Sequence, residues 1–411
     1  MSINRTASAY TIIAALLFYC ATALAWGDHN EIKVMSQNQY LGADLAPLLT
    51  ANSDQFNDVL VTILKKVAAS RFHDRAQRQA AQIAKERPHV VALQEAWRLE
   101  CQDLINPPVQ GHGCSDPAIK SAFVDQLQET RLALKAQGLK YRVVATVENL
   151  DVSLIQIPSF PPGIPFLING FPAVLKTIDR DVILVRHGLS SRPVDYSLVC
   201  PTKVSVNGCN YQSLITAKIP SNAPNEFIAL PIKRGFVAAD VKVGKKVYRV
   251  VNTHLELREP DPTQPLSRFY QAAQATELIK TLQATTPRGK SLILLGDMNS
   301  SPEDKEIVGL PAPFENGITP PYLQFVAAGY TDGWTLRHRV TPGYTCCQAE
   351  DLLNKQSVLY ERIDYIFSKQ DTWGENVHLV GISQSDKTLP PAARLWPSDH
   401  AGLVGELHFW D

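Results

Sequence analysis

Methionine is scarce in this chain, with three in 411 residues, and positive charge does not outnumber negative: 40 Lys and Arg stand against 40 Asp and Glu. The missing basic excess argues against a protein held to DNA by its own charge. A nuclease that draws local positive charge from a metal stays open. No apolar run beyond the N-terminal one reads as a membrane span, and no repeat or linker interrupts the sequence. What is present, ordinary apolar and charged fractions over a long chain, describes a soluble globular protein with a large core.

Arg5, the apolar run 10–24 and the ending Ala23-Leu24-Ala25 predict a secretory signal peptide, residues 1–25, cleaved after Ala25. The run is short for an uncleaved anchor, and Tyr19 before Cys20 does not suit a lipoprotein. Removing Arg5 leaves 39 basic against 40 acidic residues, a net charge of minus one. The mature chain keeps six cysteines: Cys101, Cys114, Cys200, Cys209, Cys346 and Cys347. Export favours disulfides, and Cys101–Cys114 and Cys200–Cys209 are expected because each closes a loop rich in Gly, Pro or Asn. Cys346 and Cys347 form either a bond to each other or two separate bridges. No His sits at ligand spacing beside a cysteine pair, which disfavours zinc. The expected localisation is secreted or periplasmic. Residues 26–411 read as one domain, since strand material recurs to the C-terminus.

The stretch 291–302 is the most informative. An apolar run too short for a helix, stopped by Gly296, reads as a buried strand whose end carries Asp297 and Asn299. If the backbone stays extended, both side chains point the same way. Similar endings recur. A strand over 32–36 ends at Asn38, one over 90–93 delivers Gln94 and Glu95, and one over 247–252 ends in Thr253-His254. Arg362 precedes a strand over 363–367 that contains Asp364, and Asp399-His400 precede one over 401–409. Each residue alone has a structural explanation: Asn38 as a turn former, Glu95 as a helix-start carboxylate, His254 as a core histidine, Asp364 as a partner of Arg362. Together they point to one site. Further strands are expected over 141–147, 181–186, 227–230 and 234–241, and helices over 74–87, 116–137, 267–283 and 322–328. Asp44 reads as a helix N-cap and 101–113 as a loop. Residues 154–174, apolar and almost uncharged, fit neither period and read as a loop or insertion, packed on the core or offering a lipid-contacting edge.

Asn38, Leu93-Gln94-Glu95, Asn252-Thr253-His254, Gly296-Asp297-Met298-Asn299, Arg362-Ile363-Asp364-Tyr365 and Ser398-Asp399-His400, in this order, resemble the endonuclease/exonuclease/phosphatase (DNase I-like) superfamily. The likeness spans nearly the whole mature chain, and bacterial secreted phosphodiesterases and neutral sphingomyelinases are among the members it is similar to. It implies an α/β fold of four layers, a two-sheet β-sandwich flanked by helices, with the site at one edge. It also implies that Glu95 holds a divalent metal with Asn38 beside it and Asp399 assisting. Asp297 would orient or deprotonate the attacking water, Asn299 bind a phosphoryl oxygen, Asp364 orient His400, and His254 contact the phosphate or the leaving side. Independently, an all-oxygen ligand set suits a hard cation, Mg²⁺ with Mn²⁺ or Ca²⁺ as substitutes. AP endonucleases carry Asp where this chain has Tyr40, so a DNA-repair role is not implied. The run 343–348 resembles a group of exported members.

The expected function is a secreted, Mg²⁺-dependent phosphodiesterase using direct water attack on a phosphoester, either a lipid headgroup or nucleic acid. The apolar segment 154–174, as a peripheral membrane contact, and the absent basic excess lean towards lipid. A secreted DNase I-like nuclease is the alternative within that class. A non-catalytic binding protein on the same fold is the alternative outside it, and a phosphomonoesterase, which the spacing does not exclude, is a third. Tyr40, Trp97, Trp334 and Trp396 are candidates for stacking on a base or sitting at a membrane interface. No obligate protein partner is indicated.

Overall fold

The computed structural model describes residues 31–220, 227–258, 265–312, 314–337, 340–369 and 372–410. The expected signal peptide lies outside them. The first sheet takes β1 (Glu31–Asn38), β2 (Val90–Gln94), β3 (Arg98–Asp103), β4 (Tyr141–Asp151), β5 (Ile164–Ile168) and β6 (Phe171–Arg186). The second begins with β7 (Ser191–Pro193), β8 (Val204–Ser205) and β9 (Gly208–Asn210), and a separate hairpin of β10 (Ile215–Pro220) and β11 (Phe227–Ile232) follows. Then β12 (Gly235–Val243), β13 (Lys246–His254), β14 (Ser291–Asp297), β15 (Thr331–Asp332) and β16 (Asp364–Ser368) complete the second sheet. Finally, β17 (Thr372–Val380) and β18 (Gly402–Phe409) return to the first. The strand order is β17-β18-β1-β2-β6-β3 in one sheet, with β4 and β5 also on β6, and β15-β16-β14-β13-β12-β9-β8 in the other, with β7 on β12.

The sequence builds four layers because its strands are apolar on both faces. Val34, Val90, Ile183, Val250, Ile293 and Leu403 meet between the sheets. The outer face of the first sheet packs Met35, Val91 and Leu184 against helices Phe72–Glu86 and Gln126–Ala136. The outer face of the second packs Val251, Leu294 and Phe367 against Leu266–Thr285 and Pro321–Ala327. This is the expected DNase I-like sandwich flanked by helices. Cys101–Cys114 and Cys200–Cys209 are bonded as anticipated, and Cys346 is bonded to Cys347.

Several local expectations are corrected. Residues 154–174 are not a loop throughout: Asn169 (φ 50°) and Gly170 (φ 82°) make a two-residue turn that pairs Ile168 with Phe171 and joins β5 to β6. Both turn positions need positive φ, which is why Asn-Gly directs a hairpin. The segment's apolar side chains face inward, with Leu154 and Leu167 exposed exceptions. Strand β3 extends through Asp103. The helix expected over 116–137 starts only at Gln126, behind an Asp125 cap on the Gln128 N–H. Asp116 instead receives the Ala118 N–H (2.9 Å) and the Asn169 amide (2.7 Å). An unanticipated helix, Ser53–Ala69, is capped by Asn52 and buries Phe56, Leu60, Ile63, Leu64 and Val67. Asp44 accepts from the Ala46 N–H (2.8 Å) in a turn just ahead of helix Ala46–Thr50, whose cap position is Leu45.

Arg75, fully buried, fastens the loops that lead into the site. Its guanidinium donates to the carbonyls of Gln39 (2.8 Å), Tyr40 (3.0 Å), Ser70 (3.0 Å) and Pro397 (3.2 Å). Arg75→Leu removes the guanidinium from all four carbonyls; Pro397, Tyr40 and Gln39 keep amide donors from Gln79 and Gln126, while Ser70 loses the side-chain donor it has here. At about 1–3 kcal/mol per unsatisfied group and about 1 kcal/mol per weakened hydrogen bond, a stability loss on the order of 2–4 kcal/mol is expected in urea denaturation. A loss below about 1 kcal/mol contradicts this account.

Candidate active site

Strand direction brings the polar residues to one rim. The parallel pairs β1–β2 and β13–β14 end there, supplying Asn38, Glu95, His254 and Asp297. Antiparallel β16 starts there with Asp364 opposite Asp297, and β18 starts two residues after His400. Gly296 permits the close approach of β14 to β13. Its φ is +139°, and an added Cβ would lie 1.9 Å from the Thr253 carbonyl oxygen. Tyr40, Glu95 and Asn299, all non-glycine, have φ of 60°, 53° and 48°. Left-handed backbone at three strand exits is costly and is held by the surroundings, a pattern concentrated at functional sites. Asn299 therefore departs from the extended path expected for 297–299. It still turns back, its N–H donating to Asp297 Oδ1 (2.9 Å).

The Asn38 amide nitrogen bridges two carboxylates, donating to Glu95 Oε1 (3.0 Å) and Asp297 Oδ2 (3.1 Å), while its Oδ1 accepts from the Tyr40 N–H (2.9 Å). Glu95 Oε2 accepts from the Leu41 N–H (3.0 Å). His400 Nδ1 donates to Asp364 Oδ2 (2.8 Å), and its Nε2 stands 3.8 Å from Asp297 Oδ2. His254 Nε2 is 3.6 Å from the same oxygen and 3.1 Å from Asn299 Nδ2. All eight residues expected at the site, Asn38, Glu95, His254, Asp297, Asn299, Asp364, Asp399 and His400, stand at this rim. Arg362 pairs with Asp332, not with Asp364.

Burial sets the charges. Burial, then the charge of Asp364, pushes Asp297 up to about 7, with His400 opposing. Burial also pushes Asp399 up to about 6, with Glu95 adding to the rise and His400 opposing it. Against burial, Asp364 and Asp399 hold His400 well above the ordinary imidazole value, so it is an imidazolium at neutral pH. For His254, burial together with Arg234 and His400 presses the value well down, so it is neutral. Both ring nitrogens face donors, Arg234 Nη1 at Nδ1 (3.2 Å) and Asn299 Nδ2 at Nε2 (3.1 Å), and the neutral imidazole accepts from one of them only.

Arg234, Asp179 and Glu256 belong to this environment and were not anticipated. Arg234 lies 3.9 Å from Asp179 and 3.7 Å from Glu256. Asp179-Arg180-Asp181, a charged triplet inside an apolar strand, is the signal that points to the second of them. Asn252 is structural. Its amide nitrogen donates to the Leu93 (2.9 Å) and Val182 (3.0 Å) carbonyls, tying one sheet to the other behind the site. The 343–348 run ties the last two site segments together, through Ala401 N–H to Thr345 O (2.8 Å) and Gln348 N–H to Asp399 O (2.8 Å) on one side and Asp364 N–H to Thr345 Oγ1 (3.1 Å) on the other. Tyr40, Trp334 and Trp396 are buried, with Tyr40 OH donating to the Glu350 carbonyl (3.0 Å) and Trp396 Nε1 to that of Asn354 (2.9 Å). They are anchors and not free stacking platforms.

The donor set fits a hard divalent cation. Glu95 and Asp297 share the Asn38 amide nitrogen, and the charge of Glu95 raises Asp399, a repulsion that a cation between those carboxylates would relieve. Among the described residues, ligand atoms of Asp297, Asp364 and His400 also lie within 4.8 Å of one another. As a unit, the rim offers a base of raised pKa, an imidazolium and a neutral imidazole around one small volume.

The sequence model described as "Endonuclease/Exonuclease/phosphatase family" matches residues 49–400. Compared with curated proteins, the chain has no match. Among solved structures, a family protein from Bacteroides thetaiotaomicron is 14% identical, covering 93% of this chain and 98% of its own, with a TM-score of 0.48. A mannosyl-6-phosphatase from the same organism is 14% identical, with coverage of 92% and 100% and a TM-score of 0.47. Truncated TDP2 from Caenorhabditis elegans is 15% identical, with coverage of 92% and 97% and a TM-score of 0.43.

Proposed function

The chain belongs to the endonuclease/exonuclease/phosphatase family, whose members hydrolyse phosphoester bonds and generally use divalent metals, and from that premise we propose that it is a metal-dependent phosphodiesterase working by direct water attack. The observation that carries the reading is the buried chain His400–Asp364 set beside Asp297, with Asn38 linking Asp297 to Glu95. Glu95 and Asp399, with Asn38 beside them, would hold the cation, Mg²⁺ being the first choice. When bound, the cation polarises the phosphoryl group and offsets its negative charge.

Asp297 takes a proton from water as its oxygen bonds to phosphorus; the bond to the leaving alcohol breaks, and solvent protonates the alkoxide. The imidazolium of His400 offsets charge on the phosphoryl oxygens, and Asn299 and the neutral imidazole of His254 hold the phosphate in place. Nothing here acts as a nucleophile, so no covalent intermediate forms. Disulfides Cys101–Cys114 and Cys200–Cys209, together with the N-terminal run, support export to an oxidising compartment. Residues 26–411 are proposed to act as one catalytic domain.

The test is hydrolysis of a p-nitrophenyl phosphodiester by the disulfide-intact protein. Chelator should lower the rate by at least about 100-fold, and added Mg²⁺ should restore it. Activity indifferent to chelator sinks the metal assignment. Equal or faster release of phosphate from monoesters sinks the diesterase assignment.

A further inference from the structure

Glu95, His254, Asp297 and His400 share the lining of a cavity of about 830 Å³, and most of the rest of that lining is apolar. Helix Ser53–Ala69 contributes Leu60 and Leu64, the first sheet Leu99 and Leu175, and the β10–β11 hairpin Ile219 and Leu230. These side chains belong to an apolar cluster separate from the three that pack the sandwich. Protein cores are packed as densely as organic crystals, and an empty apolar space of this size is a costly feature. A space of roughly 300–1,000 Å³ continuous with a reactive site is what a ligand pocket looks like.

We infer that this cavity holds the hydrocarbon chain of the substrate, so that the preferred phosphodiester is that of a lipid, with its phosphate at the rim and its chain inside the protein. The inference rests on the phosphodiesterase reading for the phosphate and on the cavity alone for the chain. At roughly 30 Å³ per methylene, close to the volume share of a water molecule, a chain of about twelve carbons takes roughly 360 Å³ and leaves room for the phosphate end. Lys218, Lys233 and Arg258 also line the space, but most of its wall is aliphatic, which suits a hydrocarbon chain better than a nucleotide. The inward packing of 154–174 belongs to the same arrangement, since Val152, Ile164 and Leu175 in or beside it line the cavity.

Two measurements separate this inference from the reading it rests on. The first is kcat/KM for p-nitrophenyl alkyl phosphodiesters with chains of one to ten carbons, below micelle formation. It should rise up to about fourfold per methylene, the ratio that burial of one CH₂ allows, and then level off as the cavity fills. Leu64→Trp and, on a different wall, Ile219→Trp should compress the ratio between decyl and methyl esters to under about tenfold. The second, in chelator and independent of turnover, is calorimetric binding of monomeric dodecylphosphocholine against phosphocholine, where the chain should tighten binding at least about 100-fold. Hydrolysis with no dependence on chain length overturns the inference and spares the diesterase. Chain-dependent binding without hydrolysis of any diester upholds the cavity and overturns the diesterase. Single-stranded oligonucleotide cleaved faster than the decyl ester overturns the lipid assignment.

Discussion

Asp297→Asn is expected to lower kcat/KM for a phosphodiester by about 10³-fold, within the range a general base contributes. The amide is isosteric and still accepts the Asn299 N–H, but it cannot take a proton from water. The pH dependence distinguishes this from a packing effect. Burial and Asp364 lift Asp297 from 3.8 to about 7 in the metal-free protein, and a bound cation lowers it from there. The acid limb of kcat/KM should therefore lie at or below about pH 7, with activity falling as Asp297 takes up its proton, and it should vanish in the variant. The stability sign follows from the same shift. A carboxyl raised on folding keeps its proton in the native state while the unfolded chain has lost it, so metal-free wild-type protein loses stability as pH rises between about 4 and 7. The amide of the variant carries no such penalty. In chelator, the Tm difference between wild type and variant should move in the variant's favour across that window. A difference independent of pH refutes the raised value.

The rim of the site was legible because it obeys one rule. Apolar runs that stop abruptly at Asn38, Glu95, His254 and Asp297 are strands buried on both faces, and parallel strands of one sheet end on one side. Nothing in the runs tells which way the chain turns next. Asn299 and Glu95 leave their strands in the left-handed region, fixed by tertiary contacts that a local pattern does not contain. Arg234 was invisible for a related reason: a cation before a strand is ordinary until folding sets it against His254, Asp179 and Glu256. The 154–174 segment was misjudged because periodicity was sought across a turn. Split at Asn169-Gly170, its second half falls into two strands, while 155–163 stays a loop. The apolar chamber has the least signature of all, because its wall residues read like core residues and only the space between them differs.

His400→Ala is expected to cost about as much as Asp297→Asn, on the order of 10³-fold in kcat/KM, because it removes the positive charge facing the phosphoryl oxygens in a buried site. Asp364→Asn is the sharper test. It keeps the imidazole but replaces the carboxylate that accepts from Nδ1 at 2.8 Å, so His400 loses the largest of the influences that hold it charged against burial. The basic limb of kcat/KM should then move to lower pH, with a loss of about 10²-fold near neutrality. In His400→Ala that limb should disappear. Stability carries its own signature. A histidine raised on folding stabilises the protein fully below its unfolded value of 6.5, and this contribution fades as pH rises through the higher folded value. The stability lost in Asp364→Asn should therefore be larger at about pH 6 than at about pH 10. NMR titration of the imidazole nitrogens would locate the shift at His400 directly. A basic limb and a His400 titration that both stay in place would remove Asp364 from the mechanism and leave Asp297 to act without an oriented imidazolium.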